Sequence, residues 1–453
     1  MFVRLMAIAV VIRFCTTGCL AQVDPARAAQ IDSYLKPYID SGNFAGAVLV
    51  SKSGKVVFEK AYGFADRENR IRNTTETQFH IASMSMQFTA AAVLRLAEAG
   101  SISLDEGVGS LVSGIEGAEK ITVRDLLTQR SGLPDINALP DYNDVLQEHQ
   151  TPSSLIAKIA GRPLLFEPGS KFLHEEHSAY NLLALLVEKR SGIPFAAAVE
   201  RLVFRPSGLS ASGVDDDSRT HTRHMAKGYE PQGTHGLKPA QTIHWSAKTG
   251  NGSAYTTVGD AAQWVDALFL GCFLSPASRN LVLDTSMRVG YGWFRGKNDR
   301  FGQTAYYMNG RAPGFTSFVL YMPDSKLTVL VLGNIYSSAT TAIGYDIAAL
   351  SLNMPYEQLH LAKTALDSSK LKRCTGTFQF GPDFYQTNAK VELQTHGREL
   401  SMRWPSGDFS SLIPLGGDHF IDRSYWMEVK IERDPSGKPA ALVYDRFRGT
   451  VSH

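Results

Sequence analysis

The sequence predicts a mixed α/β domain, an antiparallel sheet flanked by helices, with a small all-β domain after it. Strand-forming runs stand at both ends of the segment 22–360: Ala47-Val48-Leu49-Val50 near its start, and Phe315 to Tyr321 and Leu327 to Leu332 near its end, with helical patterns between them. Such runs close one sheet from the two ends of the segment and bury it under layers of helix. Beyond Leu371 the helical patterns stop. Short strands divided by Gly and Pro turns follow, as in a small sandwich or barrel. The chain therefore divides into a leader at 1–21, a main domain at 22–360, a linker at 361–370 and an all-β domain at 371–453.

Composition sets the class. A chain of 453 residues, 43% hydrophobic and 20% charged, is a globular protein with room for two domains. A net charge of +2 gives no polycationic surface, so nucleic acid and acidic membranes are not expected partners. Arg4, the apolar run Leu5 to Ile12 and the small-residue site Cys19-Leu20-Ala21 before Gln22 read as a secretory signal, although Arg13 interrupts the run. The protein is expected to be exported, periplasmic or secreted, with no membrane span once the signal is removed. Cys15 and Cys19 lie in the signal. Cys272 and Cys374 fit no metal-ligand spacing and are expected to be buried free thiols.

In chain order, Asp24 and Pro25 cap a helix that carries Ile31, Leu35 and Ile39 at helical spacing. Ala47 to Val50 and Lys55 to Phe58 flank Ser53-Gly54 as a hairpin. An Ala-rich helix follows His80-Ile81-Ala82-Ser83 and ends at Gly100. Thr122 caps a short helix through Leu127, and Tyr180 to Arg190 forms a helix apolar enough to be buried. Asp215-Asp216-Asp217 reads as a solvated turn. Further helices are expected at Gly259 to Leu268 and Ala339 to Leu350.

Ser83 is the chemical centre of the pattern. It stands at a loop-to-helix junction, where the helix N-terminus favours developing negative charge, as a serine acyl-transfer nucleophile requires. In one large group of such enzymes a Lys three residues on shares its helix face and takes the serine proton. Here that position is Met86, whose thioether accepts no proton at physiological pH.

Gly46 to Gly63, Ile81 to Gly100, Ile121 to Pro134, Pro168 to Gly192, Gly250 to Trp264, Tyr291-Gly292-Trp293 and Gly310 to Asn334 together resemble, in order, the β-lactamase-related serine hydrolases. That family includes class C β-lactamases, D-alanyl-D-alanine carboxypeptidases and related esterases. The resemblance implies a β-lactamase/transpeptidase-like domain and a site built from three motifs. Ser-x-x-Lys maps to Ser83-Met84-Ser85-Met86. Tyr-x-Asn maps to Glu175-Glu176-His177, or one residue earlier from His174. The edge-strand Lys- or His-x-Gly maps to Met308-Asn309-Gly310, with the Arg311 backbone completing an oxyanion hole. Lys248-Thr249-Gly250 spells the last motif but stands ahead of a helix, away from the edge strand.

Loss of the characteristic group at all three motifs implies a scaffold kept without its chemistry, binding a cell-wall peptide or another small acyl ligand. The alternative is a rebuilt, weak esterase or peptidase in which His174 or His177 serves Ser83 as base. Met84, Met86 and Met308 either line an apolar pocket or fill it. A metal is not expected: the His174–His177 run lacks zinc-helix spacing, and His221 and His224 read as exposed histidines. No cofactor is implied.

Overall fold

The computed structural model describes residues 25–112, 114–173, 176–218, 224–361, 371–397 and 399–452. The signal segment, His174, Glu175, His221 and linker residues 362–370 lie outside them.

The main domain is organised by a seven-stranded antiparallel sheet. Its order is Val289–Gly290, Trp293–Asn298, Gln303–Ala312, Phe315–Met322, Leu327–Gly333, Gly46–Lys52, Lys55–Tyr62. The two ends of the domain meet where Gly46 pairs with Gly333 and Lys52 with Leu327. The N-terminal hairpin turns through Ser53 and Gly54, both at positive φ. Such a turn matches the strands' right-handed twist.

Strand alternation divides the core. Val48, Val50, Phe318, Leu320, Val329 and Val331 pack with the helices Pro25–Asp40 and Ala339–Ser351 on one face. Ala47, Leu49, Val319, Tyr321, Leu330 and Leu332 face a larger helical layer on the other. Burial on both faces explains why Phe315–Met322 and Leu327–Gly333 read as nearly unbroken apolar runs.

Several boundaries differ from expectation. The helix expected at Tyr180 starts at His177 and runs to Ser191, because its first turn is polar but buried. The helix at Val258–Val265 passes into a π turn at Asp266–Leu270. Asp215 is buried and bonded to His80 rather than solvated. Cys272 is exposed, not buried. Cys374 is buried, and both are free thiols.

The C-terminal strands form a closed eight-stranded barrel from Gly376 to Val451. Phe378, Val391, Leu393, Leu400, Met402, Leu412, Phe420, Val429 and Leu442 fill it. Closure leaves no free edge. The barrel docks on the main domain through the turn after His419–Asp422. Fully buried Arg423 bonds Asn43 Oδ1 (2.7 Å) and the carbonyls of Gly42, Gln232, Gly233 and Gly236. Glu399 accepts from the Thr234 N–H and hydroxyl.

Candidate active site

Ser83 sits in a single 3-10 turn, Ala82–Ser85, that leads directly into the helix Met86–Glu98. The turn is held on three sides. The Ile81 N–H donates to Ala254 O (3.0 Å), the Ser317 hydroxyl donates to Ile81 O (2.7 Å), and the Ala254 N–H donates to Ser85 Oγ (2.9 Å). Ala82 is forced to φ 47°, a left-handed conformation costing roughly 1–3 kcal/mol in a non-glycine residue. The strain falls immediately before Ser83, whose side chain is half-buried.

The third strand of the sheet, Gln303–Ala312, meets this turn at Gly310. It is not the edge strand expected from the sequence, because Trp293–Asn298 pairs with it as far as Tyr307, and only its last residues run past that partner. A methyl group there would stand 2.1 Å from Ile81 O and 3.0 Å from Ser83 N, so only glycine admits the approach. Gly310 therefore brings its backbone close to the serine amide. The Arg311 side chain leaves on the opposite face. It lies between the Tyr336 and Tyr425 rings, 3.9 and 4.2 Å from their centroids, and so belongs to the contact with the barrel.

Met86 lies one turn below Ser83 and is 1% exposed. Its sulfur faces the Gln129 side-chain amide at 3.8 Å, a donor that offers the serine no base. Met84 and Met308 are buried in the same apolar core.

The segment matched to Tyr-x-Asn is only partly described, since His174 and Glu175 fall outside. Glu176 and His177 are buried rather than forming a solvated rim. The Glu176 carboxylate accepts from the Gly132 N–H (2.8 Å) and the Ser131 N–H (3.2 Å). Burial outweighs those donors and raises its pKa to about 7. His177 opens the helix, and its Nδ1 lies 3.2 Å from both carboxylate oxygens of Asp135. Asp135 therefore fixes the ring, leaving Nε2 as the free nitrogen. Among the described residues no hydrogen bond joins His177 to Ser83.

Sequence reasoning missed Asp135 because it lies far from His177 in the chain and carries no motif. It also missed His80, just ahead of Ser83. Its Nε2 lies 2.9 Å from Asp215, and its ring stacks on Trp245 at 3.6 Å. A cavity of about 540 Å³ opens against these groups, lined by Ala65, Met225, Ile243, Trp245 and Phe315 among others. Lys248 lies on a 3-10 turn, not on the edge strand, and its ammonium donates to the Tyr142 hydroxyl (2.8 Å). His224 is exposed.

The fold is similar to that of known proteins. Penicillin-binding protein 4* of Bacillus subtilis is 22% identical over 427 residues, covering 89% of this chain and 93% of that protein. The crystal structure of a penicillin binding protein from Bacillus halodurans superposes with a TM-score of 0.62 at 27% identity, over 71% of this chain and 98% of that one. The octameric penicillin-binding protein homologue from Pyrococcus abyssi matches with a TM-score of 0.64 at 22% identity over 94% of this chain and 99% of its own. The last two coverages show a shared fold, which in the Pyrococcus protein extends through the region of the barrel. A family model described as Beta-lactamase matches residues 31–352, the whole sheet and both its helical layers, and the chain belongs to that family.

Proposed function

We propose that the protein keeps the family's cleft but has lost its acyl-transfer chemistry, and that it binds a cell-wall peptide or another acyl ligand outside the cytoplasm. The observation that carries this reading is Met86. It occupies the base position, is 1% exposed, and has a side-chain amide as its polar neighbour. Without a base, the Ser83 hydroxyl stays protonated and is a poor nucleophile. The Ser83–Gly310 backbone approach supports retained binding of a carbonyl or carboxylate oxygen. The apolar cavity beside His80 suits a ligand with a hydrocarbon or aromatic part. Export is supported by the leader-like pattern at residues 1–21.

The test is turnover of a chromogenic β-lactam and of p-nitrophenyl esters by the full chain. Hydrolysis at background rate, with saturable binding of an N-acyl-D-alanyl-D-alanine peptide, is expected. Turnover that Ser83→Ala abolishes would overturn the reading.

One observation favours a second reading. The His177–Asp135 pair is the imidazole–carboxylate pairing that hydrolases give a catalytic base, and in this reading His177 serves Ser83. That reading requires labelling of Ser83 by a fluorophosphonate, lost in His177→Ala. Labelling no faster than in Ser83→Ala removes it.

A further inference from the structure

Outside the serine site, three segments converge on one carboxylate. Asp217 Oδ2 lies 3.1 Å from His149 Nδ1 and 3.2 Å from His244 Nδ1. Donor atoms of the three side chains all lie within 4.8 Å of one another. His149 precedes the helix Pro152–Ile159, Asp217 follows the strand Gly213–Val214, and His244 caps the turn Trp245–Lys248. No sequence motif joins them, and only the fold brings them together.

The two carboxylate-to-imidazole separations are compatible with a coordination shell. Donors about 2.0–2.1 Å from one ion stand roughly 3.0 Å apart at an octahedral edge and roughly 3.4 Å apart at a tetrahedral one. The two carboxylate-to-imidazole separations fall between those values. The carboxylate is also oriented. The Trp245 N–H donates to Asp217 Oδ1 (2.9 Å), which aims Oδ2 at the imidazoles, the kind of outer hydrogen bond that fixes metal-binding carboxylates. Asp217 holds φ 63°, a strained conformation kept where the surroundings enforce it. The imidazoles keep 58% and 45% of their side-chain surface open, so an ion can enter from solvent and complete its shell with water.

We infer that His149, Asp217 and His244 form a surface site for a divalent transition-metal ion, Zn²⁺ or one of similar preference. Two imidazoles and a carboxylate suit Zn²⁺, Co²⁺ or Ni²⁺, whereas Mg²⁺ takes oxygen donors and sheds its waters reluctantly. The role of the ion is structural. Asp215, two residues before Asp217, bonds His80, and Trp245, next to His244, stacks on it. An ion at Asp217 therefore ties the His149 segment to both supports of the residue that leads into the serine turn.

The test uses the full chain stripped with chelator and titrated calorimetrically with ZnCl₂ and, separately, MgCl₂. The sequence has 12 His, so the comparison with variants decides. Wild type is expected to bind one more Zn²⁺ than His149→Ala/His244→Ala. Asp217→Asn is expected to weaken that ion at least tenfold, and Mg²⁺ to give no heat. Zn²⁺ should raise the melting temperature of wild type and not of the double variant. Equal stoichiometry and affinity in wild type and the double variant would overturn the site, as would no Zn²⁺ binding at all. Should the double variant fail to fold, His149→Gln and His244→Gln taken singly decide: loss of one Zn²⁺ or a tenfold weaker one in either supports the site, and unchanged stoichiometry and affinity in both overturns it.

Discussion

At the scale of single residues, the protein turns on what surrounds a hydroxyl. Ser83 has the helix start, the adjacent backbone strain and the glycine contact that position a nucleophile, while the residue below it is a thioether. Under the binding reading, Ser83→Ala should lower peptide affinity by no more than about tenfold, since a neutral hydroxyl contributes roughly 0.5–1.5 kcal/mol net. Calorimetric titration of both proteins checks this.

Glu176 makes a second residue-level prediction. Its folded pKa of about 7 lies above the ordinary carboxyl value, so the folded state holds the proton that the unfolded chain releases. That contribution is fully present below pH ~4.5 and is lost as pH rises through 7. The full effect is on the order of 3 kcal/mol. Urea midpoints should fall across this window. Glu176→Gln should flatten the fall, at some cost at low pH, because its NH₂ would face the Ser131 or Gly132 N–H.

At the scale of elements, the serine turn and the strand Gln303–Ala312 are fitted to each other through one missing side chain. Gly310→Ala puts a methyl group against Ile81 O and the Ser317 hydroxyl, both engaged in holding the turn. The strand must move, at roughly 1–3 kcal/mol. Chemical denaturation should show that loss, and ligand affinity should fall with it. The short helix Val123–Leu127 depends on its start. Thr122 and Asp125 form a reciprocal capping box there. Thr122→Ala should cost about 1 kcal/mol in the same experiment.

At the scale of the whole molecule, the barrel is joined to the sheet domain by buried polar contacts. Arg423 satisfies four main-chain carbonyls and a side-chain amide from two stretches of the main domain. Burial lowers its pKa to about 10, still high enough to keep the charge at neutral pH. Arg423→Met leaves those acceptors unpaired and should cost on the order of 3 kcal/mol or more. Calorimetry should then resolve the single transition into two as the barrel uncouples. A variant that melts in one transition at the wild-type temperature would show that the domains do not depend on this contact.

The layered domain, four of the seven sheet strands and the longer helices were legible in the sequence, because burial on two faces writes long apolar runs and capping residues mark helix ends. Ser83 and the methionines at positions 86 and 308 were legible there too, since a side chain's proton affinity belongs to its type. The sequence did not show the strands Phe409–Gly416, His419–Asp422 and Phe447–Val451, whose polar outward residues dilute the pattern. Only the tertiary structure decided that His177 is held by Asp135, that Asp215 serves His80, and that Arg311 turns its side chain to the barrel. Those pairings join residues far apart in the chain. Local spacing carries no trace of them, and burial then sets the charge that each group can hold.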